Sequence, residues 1–173
     1  MREYLLLLPI IFIFHDMEEI IGFDWFFKTN SDLFERFPKL NKIYNGLTTS
    51  TFAAAVYEEF IPFFGISLMA YNFPNKILYA VWFGIFLSLT GHFVIHLLFS
   101  IYIKRYIPCV ITSIICLPVS IIILIKNIPY LDFDMMTVTC IIVSVLAMMA
   151  NMKLAHGFGH LLSRKTAFSL KGE

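Results

Sequence analysis

The chain has 173 residues, 59% of them hydrophobic and only 14% charged, against the ~25% charge of an ordinary soluble domain. A formal net charge of +1 leaves no basic field for nucleic acid or another acidic partner. Mean hydropathy of +0.79, with the apolar residues gathered in long runs, predicts an all-α polytopic transmembrane bundle of a plasma or inner membrane, one domain over residues 1–173.

Five runs are long enough to span a bilayer, which takes about 20 mostly apolar residues. The first lies near residues 4–26. It lacks the small-residue cleavage site of a secretory signal and holds acids where such a signal is apolar, so it reads as a retained span. At its centre stands His15-Asp16-Met17-Glu18-Glu19. Each ionised acid at a helix centre costs about 2.5–3.5 kcal/mol on insertion scales, so three of them require something that compensates them. Glu18 and Glu19 share a helix face with His15, whereas Asp16 points about 100° away.

Residues 27–48 form the longest loop, and Leu33, Phe34, Phe37, Leu40 and Tyr44 recur in it at helical intervals between basic residues. Asp32 and Glu35 offer a capping box. Such a segment lies in the membrane interface, or covers a site as a lid.

The second span, near 49–71, holds Glu58 and Glu59. Glu58 shares a stripe with Thr51, Ala54, Ala55 and Gly65, and small residues let membrane helices approach closely, so Glu58 is the acid expected to face inward. Glu59 keeps company with Phe52, Val56 and Phe63 and ranks second. Pro62 has no N–H for the carbonyl of Glu58, which predicts a kink there. The third span, near 76–102, places His92 and His96 on one face with Gly84 and Ser88. The fourth, near 107–126, has no histidine and is expected to be peripheral. The fifth, near 135–162, carries His156 and His160. On it Asn151, Ser144 and Thr137, spaced by sevens, read as polar contacts between helices. Cys109, Cys116 and Cys140 lack metal-type or disulfide-type spacing and read as inert buried thiols.

Five spans put the termini on opposite sides. Of the thirteen basic residues, Arg2, Lys76 and Lys126 fall on the N-terminal side. Nine fall on the other: Lys28, Arg36, Lys39, Lys42, Lys104, Arg105, Arg164, Lys165 and Lys171, with Lys153 inside the last span. The positive-inside rule then places the N-terminus outside and the C-terminus and loop 27–48 in the cytoplasm. All the polar clusters then fall in the cytoplasmic half of the bilayer, where helix-bundle metal sites gather carboxylates and imidazoles at one level.

His15-Asp16-Met17-Glu18-Glu19 resembles the motif of the HxxEE-domain integral membrane proteins, a largely uncharacterised family. That family also shows further histidines and a Tyr-x-Pro-Gly motif. Tyr106-Ile107-Pro108-Cys109 keeps its tyrosine and proline and replaces its glycine. The resemblance implies metal dependence and names no substrate.

The expected ligands of a divalent metal, zinc or iron, single or dinuclear, are His15, Glu18, Glu19, Glu58, His92, His96, His156 and His160, with Glu18 or Glu19 as general base. So many donors exceed what one catalytic zinc needs. Three function classes fit: a hydrolase using metal-activated water on an apolar or lipid-linked substrate drawn from the membrane lipid, a di-iron oxygenase or oxidase, and a haem, metal-ion or proton carrier. Hydrogen bonding between helices, with no ligand at all, is the structural alternative.

Overall fold

The computed structural model describes the backbone of residues 1–169 and the side chains of residues 1–165, so Lys171, counted above, lies outside the described residues. Among these residues there are seven α-helices and no strand: α1 (Leu7–Thr29), α2 (Asp32–Arg36), α3 (Pro38–Tyr44), α4 (Thr49–Asn72), α5 (Lys76–Ile103), α6 (Val110–Asn127) and α7 (Met135–Ser169). The helices α4, α5, α6 continued to Tyr130, and α7 are long and apolar enough to cross a membrane. The first predicted span, α1, is of similar length, at 23 residues, and carries Asp16, Glu18, Glu19, Asp24 and Lys28.

Sequence chemistry sets the boundaries. Thr48 caps α4 by accepting from the Thr51 N–H, and the Thr51 side chain returns the bond to Thr48 N, a capping box. Asn75 caps α5 through the Leu78 N–H. Lys104, left-handed at φ 56°, ends α5. α4 runs through Pro62, and α6 through Pro118. In the loop, Pro38 forces Phe37 out of helical geometry (φ −128°, ψ 85°) and divides the expected single helix into α2 and α3. The expected capping box at Asp32 and Glu35 does not form; Ser31 is the N-cap and makes no side-chain cap bond. Asp32 instead accepts from Arg105 at 2.8 Å, a hydrogen bond that holds its carboxyl below the usual range.

Packed neighbours run α1–α4–α7–α5–α6 and back to α1, a five-membered ring. Polar contacts mark its two ends. At one end the Arg2 guanidinium sits 4.4 Å from the Tyr71 ring centre, Trp82 Nε1 donates to the Leu5 carbonyl at 3.0 Å, and Lys76 reaches Asp134 at 2.7 Å. At the other, Arg105 holds Asp32 and Asn30, His160 meets the Ile43 carbonyl, and Ser163 donates to the Gly46 carbonyl. Leu33 is fully buried with Phe26, Ile103 and Ile107, so α2 and α3 lie across this end as a strap.

Aromatic interlocking fixes the α1–α4 contact. Phe12 stacks on Phe63 with ring centres 4.3 Å apart, and Phe23 on Phe52 at 4.4 Å. On the far side of the ring α5 and α7 approach through Gly84: a Cβ there would lie 2.7 Å from the Ile141 carbonyl oxygen.

Candidate functional site

The HxxEE segment lies midway along α1, and His15 is completely buried. Its Nδ1 is 3.1 Å from Thr112 Oγ1, whose own hydroxyl hydrogen goes to Glu18 Oε2 at 2.6 Å. His15 therefore donates from Nδ1, leaving Nε2 as a bare lone pair, buried and without a hydrogen-bond partner among the described residues. His156 repeats this arrangement on α7. Nδ1–H donates to the Met152 carbonyl at 2.7 Å, and Nε2 is buried and unpartnered. Metal-binding histidines are oriented in this way, with the second ring nitrogen tied to a carbonyl or similar acceptor. On α5, His92 and His96 meet Nε2 to Nε2 at 2.7 Å. The His15 ring centre lies 5.6 Å from that of His92 and 5.2 Å from that of His96.

Three overlapping sets of donor atoms have all members within 4.8 Å of one another: Glu19 with His92 and His96, His15 with Asp16 and His92, and His15 with His96 and Cys109. Around a tetrahedral zinc with bonds of 2.0–2.1 Å, neighbouring donors stand about 3.3 Å apart. Shifts of about 1.5 Å, within the reach of side-chain rotation, close these sets onto an ion. The lone pairs at His15 and His156 and the unpaired Oε1 of Glu59 are buried polar atoms that a cation would satisfy.

A cavity of about 40 Å³ adjoins the set, lined by Asp16, Glu19, Glu59, His92, His156 and Tyr44 among others. It has room for a water or an ion. Three carboxylates around so small a space repel one another unless protons or a cation intervene.

Placement differs from expectation at five positions. Glu59 faces the cavity, and Glu58 turns to α7, where Asn151 donates to it at 3.4 Å. The small stripe does bring helices together, but it brings α4 to α7: a Cβ on Gly159 would lie 3.2 Å from the Thr51 carbonyl oxygen and 3.5 Å from Ala55 Cβ. The aromatic face of α4 turns toward α1 and carries Glu59 inward. Asp16, expected to point away, is 4% exposed and belongs to the site. The angle of about 100° from His15 holds, but α1 is buried over a wide arc against α4, α5 and α6 together. Glu18 is not among the converging donors. It accepts from Tyr106 OH at 2.6 Å and from the backbone N–H groups of Ile111 (3.3 Å) and Thr112 (2.7 Å). These are orphan donors of the first turn of α6, so Glu18 caps a neighbouring helix. His160 lies outside the cluster and donates from Nε2 to the Ile43 carbonyl at 2.8 Å, fastening the strap.

The fourth predicted span is therefore not peripheral. The turn before α6 docks on α1 at Gly22, where a Cβ would lie 2.7 Å from Pro108 Cγ. Tyr106, Cys109 and Thr112 then reach Glu18, Glu19 and His15. Cys109 is the N-cap of α6 at φ 79°, a left-handed conformation that costs a residue with a Cβ about 1–2 kcal/mol and glycine almost nothing. Its thiol is free and buried, as expected, and donates to Glu19 Oε2 at 3.5 Å. The sequence signal for this turn was the Tyr106-x-Pro108 pair just ahead of a helix start.

A second, larger space of about 240 Å³ opens from Glu19, His92 and His96. Its walls are apolar, with Phe23, Phe26 and Phe27 from α1, Ile95 and Phe99 from α5, and Ile107. Leu40, Ile43 and Tyr44 of α3 close it, so the strap covers the chamber.

A family model described as "Protein of unknown function with HXXEE motif" matches residues 6–123. The match takes in the α1 motif, Glu59, His92, His96 and the Tyr106–Thr112 turn, and stops short of His156. No curated protein and no solved structure matches the chain.

Proposed function

The chain belongs to the HXXEE family, whose model covers more than half of it, and from the chemistry of the site we propose that it is a membrane-embedded metal-dependent hydrolase acting on an apolar or lipid-linked substrate. The observation that carries this reading is the pair of oriented, unpartnered imidazole nitrogens, His15 Nε2 and His156 Nε2, beside His92, His96, Glu19, Asp16 and Glu59. His15, His92 and His96 would hold the ion, with Glu19 beside it as a base and Asp16, Glu59 and His156 around the adjoining cavity for a second ion or a bound water. Glu58 and His160 stand outside this set.

A bound divalent metal supplies Lewis acidity and a water acidified to near neutrality. The chain's own residues do the rest. The chamber takes the apolar part of the substrate and brings its scissile group to the Glu19–His92–His96 end. Glu19 would serve at that end as the group that takes up and returns a proton. The base role goes to Glu19 because Glu18 is spent on the first turn of α6. The strap excludes water while the site is loaded.

The reading takes α1 as a fifth span, with the N-terminus outside and the site in the cytoplasmic half of the bilayer. The contacts of residues 1–5 with one end of the bundle, and of Asn30 and Asp32 with the other, support it. The mixed carboxylate and imidazole lining from four helices also fits a di-iron oxygenase. Element analysis of detergent-purified protein, with Mössbauer and visible spectra, decides between them. Zinc at about one or two per chain, lost in His15→Ala and His92→Ala, is the expected result. Oxo-bridged iron selects the oxygenase and a Soret band a haem carrier. Absence of metal leaves hydrogen bonding between helices as the role of these residues.

A further inference from the structure

We propose that Cys109 is a metal ligand, making the ion site of this chain a mixed thiolate–imidazole centre with His15 and His96. The inference rests on the metal reading above and adds to it a donor and a metal class. Three observations converge on it. Cys109 occupies a left-handed position (φ 79°) where a side chain strains the backbone, and strain of this kind persists where a side chain has work to do. Its Sγ is completely buried in polar company, 3.5 Å from Glu19 Oε2 and 3.6 Å from the His15 carbonyl oxygen. The Sγ and one nitrogen each of His15 and His96 all lie within 4.8 Å of one another, and the fully buried His15 has its Nε2 without a partner. An inert core cysteine needs apolar neighbours, as Cys116 has on α6; Cys109 has a carboxylate and two imidazoles.

Metal binding breaks one S–H bond and forms one metal–sulfur bond. The proton passes to the Glu19 carboxylate, which already accepts the thiol hydrogen bond, and leaves to solvent, one per ion bound. Glu19 is thereby placed beside the ion as a proton carrier. A thiolate with two imidazoles is a soft donor set. It selects zinc, cobalt or iron and discriminates against magnesium, calcium and manganese, which favour oxygen.

The test is cobalt(II) loading of the full chain in detergent, read by near-ultraviolet and visible absorption, for the wild type and for Cys109→Gly, Cys109→Ser and Cys116→Ala. The expected result is an intense sulfur-to-cobalt charge-transfer band in the wild type and in Cys116→Ala. Cys109→Gly and Cys109→Ser should lack it and bind cobalt at least about tenfold more weakly. Glycine suits the backbone at this position, so Cys109→Gly is the variant that folds; if it does not, Cys109→Ser and the wild-type spectrum decide. Cobalt bound with nitrogen and oxygen bands alone overturns the thiolate ligand and leaves the metal site standing, as does a band that survives Cys109→Gly. Failure of the wild type to bind cobalt or zinc overturns both readings.

Discussion

Adjacent residues on one helix are divided between chemistry and architecture here. Glu18 and Glu19 differ by one position, and one secures α6 while the other faces the histidines. Glu18→Ala should therefore act on stability: the Thr112 and Ile111 N–H groups and the Tyr106 hydroxyl lose a charged acceptor, a change of about 1.5–3 kcal/mol. Thermal melting in detergent should show that loss, and Glu18→Gln, which keeps one acceptor oxygen, a smaller one. An equal effect of the two variants on stability would refute the capping role. Glu58 and Glu59 form the second such pair. Glu59→Gln should lower metal content more than Glu58→Gln, because Glu59 lines the cavity and Glu58 is held by Asn151. Asp16→Asn should lower it as well, since Asp16 is buried beside His15 and His92. Metal analysis that ranks Glu58 above Glu59 would show the α4 rotation to be wrong. The histidine pair His92/His96 could be read from sequence because residues four apart must share a helix face. The rotation of α4 could not, because it is decided by Phe12, Phe23, Phe52 and Phe63 meeting in three dimensions. Asp16 differs from expectation for a related reason: its direction relative to His15 follows from geometry, but how much of α1 is surrounded does not.

Element boundaries followed local chemistry closely, since Asn75, Thr48 and Pro38 act within one helical turn. What local chemistry does not reveal is which backbone groups need partners from elsewhere, and the first turn of α6 is such a case: its donors are met by Glu18 from a helix about ninety residues earlier. The same scale holds the close approach of α5 and α7. At Gly84→Ala the added Cβ would lie 2.7 Å from the Ile141 carbonyl oxygen and 2.9 Å from Ser144 Cβ, so the two helices must separate. Overpacking of this kind costs about 1–3 kcal/mol, and it displaces His92, two turns further along α5, from the α1 donors. Gly65→Ala, with nothing within 4 Å, should instead raise the melting temperature slightly, since alanine gains about 1 kcal/mol over glycine within a helix. Melting curves and metal content for the two variants check this; a harmless Gly84→Ala would mean that α5 and α7 are not held this tightly.

For the whole molecule, the proposed five-span topology has to meet the cost of placing a helix with acids at its centre in the bilayer. Left unmet, three such acids cost roughly 7–10 kcal/mol on insertion scales. Glu18 is met by four donor groups of the α6 turn, and Asp16 and Glu19 face a cavity rather than lipid, so the penalty is offset only once the ring has closed around α1. On the five-span reading α1 would be a span that depends on the others, and the number of crossings would be odd. Single cysteines at Glu3, Asn45 and Phe73, all exposed positions, should separate the alternatives when intact cells are treated with a membrane-impermeant thiol reagent. With five spans and the basic end of the bundle in the cytoplasm, Glu3→Cys and Phe73→Cys label at once and Asn45→Cys only after permeabilisation. Labelling of Glu3→Cys together with Asn45→Cys, and apart from Phe73→Cys, would leave α1 on one side of the membrane and remove the bilayer from around the site. Labelling of Asn45→Cys alone would keep the five spans and reverse them, opening the strap-covered chamber to the outside.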